Sequence, residues 1–201
     1  MVMSLIGMLG VAMMASSGLF LEKGTAEMSL AIERVWEIEE TLLQTQAVET
    51  IIRSYAPNLS SETVQAYANS IVTNSSKYDV DPVLVTAMIW QESRFRHNAI
   101  SNKGARGLLQ IMPRTARGMG VDPDKLFDPS TNLKAGIEYL SKLRNKYGNL
   151  RLGIIAYNQG EGNVSKNQYT PHYYTRVMAH YDQMNRLLRS KQNDFEQAGR
   201  R

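Results

Sequence analysis

Residues 81–93, Asp-Pro-Val-Leu-Val-Thr-Ala-Met-Ile-Trp-Gln-Glu-Ser, constrain the fold of this chain more than any other stretch. Asp81 followed by Pro82 is a helix start signal. The carboxylate caps the free N–H groups, and proline suits the first helical position. The helix predicted over 82–93 is apolar on nearly every face, so other elements must surround it. The rest of the chain supplies helices for that purpose. No stretch alternates convincingly with period two, so the expected fold class is mostly α. Apolar residues make up 43% of the 201 residues, enough for one compact domain with extra segments.

The flanking helices carry their own signals. Ser60 or Ser61 caps a helix to about Ser76. Asp128-Pro129 and Ser130 introduce a helix over 131–147, ended by Gly148. A short helix follows Pro113, another covers 150–157, and a last one covers 171–189 through Tyr174, Val177, Tyr181 and Leu188. Residues 191–201 read as a polar tail.

The N-terminal quarter differs in kind. Residues 2–21 carry no charge, and twenty helical residues span roughly 30 Å, one bilayer core. Two readings compete: a signal peptide, with small residues at Ala15 and Ser17 or at Gly24 and Ala26, and an uncleaved membrane anchor. A core helix or membrane-active segment of a larger assembly is a third. No Lys or Arg precedes the run, so the usual positive flank of a signal peptide is missing. Residues 25–54 read as one helix with a narrow stripe of Met28, Ile32, Val35, Leu42 and Ile51, a stalk or a partner-binding helix. Pro57-Asn58 breaks the chain, which puts a boundary near residue 56. The expected division is therefore 1–21 signal or anchor, 22–56 helical linker, 57–190 folded domain and 191–201 tail.

Charge follows the same division. Residues 1–50 hold seven Glu against Lys23 and Arg34, a net −5, whereas the remainder carries 21 basic and 12 acidic residues, a net +9. A basic folded part suits a polyanionic partner, although a mixed solvated surface reads the same way. The absence of cysteine excludes disulfides, thiolate metal sites and cysteine nucleophiles. His97, His172 and His180 show no metal-ligand spacing, and no phosphate loop or nucleotide fingerprint is present. No metal, cofactor or nucleic-acid partner is expected.

One side chain conflicts with its surroundings. Glu92 lies seven residues after Val85, four after Met88 and three after Ile89, on an apolar face of the buried helix. Loss of hydration favours its protonated form. It also sits in the last turn, where the negative end of the helix dipole opposes ionisation. A carboxyl still protonated near neutral pH is what a general acid requires. The competing structural reading is a buried Glu held by Arg94, Arg96 or Arg106.

Tyr78–Met119 resembles the catalytic core of the soluble lytic transglycosylases, the goose-lysozyme-related glycoside hydrolases of family 23 type. The resemblance rests on Gln91-Glu92-Ser93, then Ser101 with Gly104-Ala105, then Gly107-Leu108-Leu109-Gln110-Ile111-Met112-Pro113. It continues in Ala156-Tyr157-Asn158 with Gly160 and Gly162, and in Tyr173 with Val177. Residues 126–140 also fit, so it covers about 65–182. Leu109 stands where the family most often has Met, and Gln159 and Glu161 replace the usual Ala and Pro.

The resemblance implies a lysozyme-like α domain that cleaves the β-1,4 bond between N-acetylmuramic acid and N-acetylglucosamine in peptidoglycan. Glu92 would be acid and then base, leaving a 1,6-anhydro sugar. By the same match, Ser101 and Gln110 would hydrogen-bond near the acid and the sugar. Met112 would give soft apolar contact to a sugar face. Tyr157 and Asn158 would place a polar edge opposite Glu92, and Tyr157 and Tyr173 would orient the acid or the intermediate.

Ordinary glycosidases need two carboxyls. Here Asp122, Asp124 and Asp128 read as caps and turns, which favours a one-acid mechanism. A hydrolytic muramidase of the same fold, and a non-catalytic wall-binding part of a secretion, conjugation or phage machine, are the alternatives. The location implied is the periplasm or cell envelope, or a phage virion. Residues 2–21 would supply a membrane contact, and the 25–54 helix a contact to a transenvelope or virion assembly.

Overall fold

A computed structural model describes the backbone of residues 20–198 and the side chains of 28–197. The apolar run 2–21 lies almost wholly outside the described residues. Among those described, no helix is long and apolar enough to cross a membrane.

The chain divides into two units, Met1–Glu40 and Thr41–Arg201. Helix α1, Phe20–Tyr55, runs through the division. In the first unit every described side chain, 28–40, is exposed, including Met28, Ile32, Val35 and Trp36. In the second unit the last turns of α1 bury Val48, Ile51 and Ile52 completely. The second unit begins at Thr41, within α1. Pro57 ends the helix, because the residue before a proline is driven out of helical geometry, but the helix's final turns already belong to the folded unit.

Helices fill the second unit. After α1 come α2 (Ser61–Tyr78), α3 (Pro82–Ser93), α4 (Pro113–Gly118), a 3-10 turn (Pro123–Phe127), α5 (Pro129–Tyr147), α6 (Leu150–Gln159), α7 (Glu161–Ser165) and α8 (His172–Ala198). Among the described residues β structure is limited to the isolated bridges Ile100–Arg106 and Arg106–Ile111, which pin the loop between α3 and α4. Helix α3 packs against α2 and α8, and α5 packs against α2 and α6.

The caps explain the boundaries. Asp81 Oδ1 accepts from Val83 N at 2.7 Å and Leu84 N at 3.2 Å. Ser60 Oγ accepts from Thr63 N, and Asp128 Oδ2 from Thr131 N at 2.8 Å. With Asp128 as the cap, α5 begins at Pro129, two residues earlier than expected. Gly148, at φ 59°, ends it. Helix α8 is longer than predicted and absorbs most of the expected polar tail, 191–201. No Gly or Pro interrupts 172–198, and its outer residues need only solvent.

Helix α3 is the hub. Leu84 through Ile89 are buried without interruption. Each fully buried Met or Ile side chain contributes about 1.5–3 kcal/mol relative to exposure. Gln91 and Glu92 then emerge half-buried at the C-terminal turn, and Ser93 is buried again. The positive φ of Arg94 (52°) and Phe95 (62°) turns the chain sharply there.

Candidate active site

The end of α3 presents Glu92 to the first turn of α8. Tyr173, itself buried, donates from Oη to Glu92 Oε1 at 2.6 Å. Burial raises the Glu92 carboxyl from its ordinary 4.5 to about 7; the Tyr173 hydrogen bond and the Arg176 charge pull the other way without prevailing. The Tyr173 hydroxyl is itself held well above its ordinary range by burial and by the Glu92 charge, so it remains a donor.

Arg94, Arg96 and Arg106, the partners of the competing reading, are each engaged away from the acid. Arg106 pairs with Asp124 at 2.9 Å and donates to Pro123 O. Arg94 lies over the Trp90 ring, and Arg96 Nε donates to Ser93 O. Trp90 packs on the core against Tyr55 and Phe95.

Tyr157 approaches the acid from α6. Its hydroxyl donates to Leu109 O at 2.9 Å, its ring lies 5.4 Å from that of Tyr139, and it stands within electrostatic reach of Glu92. Asn158 follows on the exposed side. Met112, 39% exposed, precedes α4 and offers a soft apolar surface.

Ser101 and Gln110 make loop contacts. Ser101 Oγ accepts from Ala105 N at 3.0 Å and Lys103 N at 3.3 Å, closing the turn around Gly104. Gln110, at φ 47°, donates from Nε2 to Gly107 O at 2.9 Å and Ala99 O at 3.1 Å. Both side chains fix the segment between α3 and α4. Asp122 and Asp128 cap the 3-10 turn and α5, as expected of them, whereas Asp124, expected to be a cap or turn residue, pairs with Arg106. His97 meets Tyr67, and among the described residues no group of His, Cys, Asp and Glu is arranged to hold a metal.

Sequence reasoning gave no role to Asn132. Fully buried on α5, it accepts from Leu109 N at 2.8 Å and donates to Arg106 O and Leu126 O, each at 2.9 Å. It therefore sets the backbone that Tyr157 also grips at Leu109. Its signal was a polar residue beside Leu133, Gly136 and Ile137 on an apolar face. A Cβ on Gly107 would meet Asn132 Nδ2 at 2.2 Å and Leu126 O at 2.3 Å, so this approach requires glycine.

Chemically, the arrangement is a carboxyl that holds its proton close to neutrality and is oriented by a buried phenol. Proton transfer is the chemistry it is suited to.

Comparison with known proteins places this geometry in a family. The chain is 33% identical over 104 residues to the transglycosylase of Enterobacteria phage PRD1, covering 52% of this chain and 38% of that protein. It is 36% identical over 115 residues to the membrane-bound lytic murein transglycosylase C of Mannheimia succiniciproducens, covering 49% and 32% respectively. The chain thus spans about a third of the length of these relatives. In fold it is similar to the 70 kDa soluble lytic transglycosylase of Escherichia coli, with a TM-score of 0.54 at 24% identity, over 61% of this chain and 24% of that one. Residues 69–175, just over half of the chain, match the family described as the transglycosylase SLT domain, and the chain belongs to that family.

Proposed function

We propose that this chain cleaves the glycan strands of peptidoglycan as a lytic transglycosylase, with Glu92 as the single acid and base. The bond cut is the β-1,4 linkage from N-acetylmuramic acid to N-acetylglucosamine. Protonated Glu92 gives its proton to the bridging oxygen as the bond to the anomeric carbon breaks. The resulting carboxylate then removes the proton from the 6-hydroxyl of the same muramic acid. That oxygen closes on the anomeric carbon, giving the 1,6-anhydro product and returning Glu92 to its protonated form. No water is consumed. The sugar's own acetamido group steadies the positive centre between the two steps.

The observation that carries this reading is the Glu92 carboxyl raised to about 7 and held by Tyr173. An acid poised there both gives and takes a proton near neutral pH. Asp122, Asp124 and Asp128, which follow the motif, are occupied elsewhere. Ser101 and Gln110 hold the loop between α3 and α4 in shape, and Met112, Asn158 and Tyr157 would meet the sugar. Both relatives named above act, by their names, as transglycosylases, one of them on murein. The site of action is the cell envelope. Residues 2–21 serve as leader or anchor, and the 25–54 helix as the link to an envelope or virion assembly.

The test is mass spectrometry of peptidoglycan digested by the wild type and by Glu92→Gln. Anhydromuropeptides from the wild type alone are expected. Reducing ends would establish hydrolysis, and equal clearing by Glu92→Gln would remove the enzymatic reading.

A further inference from the structure

Helix α1 carries an open apolar face. All the described side chains of its first unit, 28–40, are exposed, and Trp36 and Ile38 are each 68% exposed. Single exposed apolar side chains need no explanation, but a contiguous face does. At about 100° per residue, the large exposed apolar residues from Met28 to Leu43 fall, apart from Leu30, within an arc of roughly 160°. Within it Met28, Val35 and Leu42 recur every seven residues, with Ala31 and Ile38 three residues after the first two. That is the a and d spacing of a coiled-coil seam. Glu33, Glu37 and Glu40 lie on the opposite side of the helix.

One acid breaks the pattern. Glu39 lies four residues after Val35, three after Trp36 and three before Leu42, inside the apolar arc. Arg34 is the only basic residue in 28–40. Five residues apart on one helix, the two point about 140° away from each other and do not meet within a chain. In two parallel helices aligned on this seam they do meet. Arg34 takes a g position and Glu39 the e position of the following heptad, where g of one helix faces e of the other. Two-fold symmetry makes the contact twice.

We propose that α1 pairs with α1 of a second copy of this chain as a parallel two-stranded coil, with Met28, Ala31, Val35, Ile38 and Leu42 in the seam and Arg34 of each copy against Glu39 of the other. A lipid surface suits this face less. Helices that lie on membranes carry Lys and Arg on their polar side, and this one carries glutamates. The pairing does not rest on the peptidoglycan reading and survives its failure.

The test uses the full chain in a mild detergent. Sedimentation equilibrium is expected to give twice the chain mass. Arg34→Glu and Glu39→Arg each set like charges against each other across the seam, and each alone weakens association by roughly three- to tenfold, the scale of two exposed ion pairs. Mixing the two variants restores it, because each then supplies the charges the other lacks, which also shows that both remain folded. The chain has no cysteine, so single cysteines report the register. Oxidation of Val35→Cys links two copies, since each a position faces its own counterpart in a parallel pair, whereas Glu33→Cys leaves them unlinked. A single-copy mass, a dimer indifferent to both charge reversals, or equal linking through the two cysteines overturns the proposal.

Discussion

Tyr173 Oη donates to Glu92 Oε1 at 2.6 Å, joining residues 81 positions apart in sequence. The bond favours the ionised carboxylate, while burial favours the protonated acid, and burial prevails. The proposed activity therefore depends on a balance that single substitutions displace in a known direction.

Tyr173→Phe removes the interaction that favours ionisation. A hydrogen bond to a charged group is worth about 1.5–3 kcal/mol, so the Glu92 carboxyl rises further, by about one unit. The alkaline limb of kcat/KM for glycan cleavage moves up by that amount while the rate itself falls. The pH–rate profile checks this; an unmoved limb would show that Tyr173 does not tune the acid.

Glu92→Gln makes the fold more stable in alkaline solution. The folded carboxyl titrates near 7 and the unfolded one near 4.5. Across that window the folded form holds more protons, so stability falls as pH rises. The amide removes this penalty. Denaturant unfolding should show the variant and wild type alike at pH 4 and the variant more stable by on the order of 2–3 kcal/mol at pH 8.

How much of this was legible in the sequence depends on the range of the contact. Asp81, Asp128 and Gly148 act on their own helices, and local pattern placed them. Glu92 stood out because its helical neighbours are apolar. The Tyr173 contact to it was reached through family resemblance, since helical spacing carries no information across 81 residues. The role of Asn132 has no such local mark: two of its three partners, Leu109 N and Arg106 O, lie more than twenty residues away in the loop between α3 and α4. Pro57 marks where α1 ends, whereas the burial of Val48, Ile51 and Ile52 is a tertiary contact that local pattern does not carry.

Asn132→Ala leaves Leu109 N, Arg106 O and Leu126 O without their buried partner. Three unmet groups and a small void should cost about 2–4 kcal/mol. Chemical denaturation measures the loss. A change below about 0.5 kcal/mol would show that the loop holds its shape without this side chain.

Gly107→Ala and Gly104→Ala differ in kind, although φ is 79° and 82°. A Cβ at 104 meets nothing within 4 Å, whereas one at 107 overlaps Asn132 and Leu126. The first costs about 1 kcal/mol of backbone strain, and the second at least twice that, with loss of activity as the loop shifts. Melting curves of the two variants side by side distinguish them.

The central claim is that Glu92 keeps its proton close to neutral pH. Titration of its side-chain carboxyl carbon by NMR, with Glu92→Gln to assign the signal, measures this without substrate. The expected midpoint is about 7. A midpoint at the ordinary 4.5 would mean that burial does not hold the proton, and the single-acid account would be wrong.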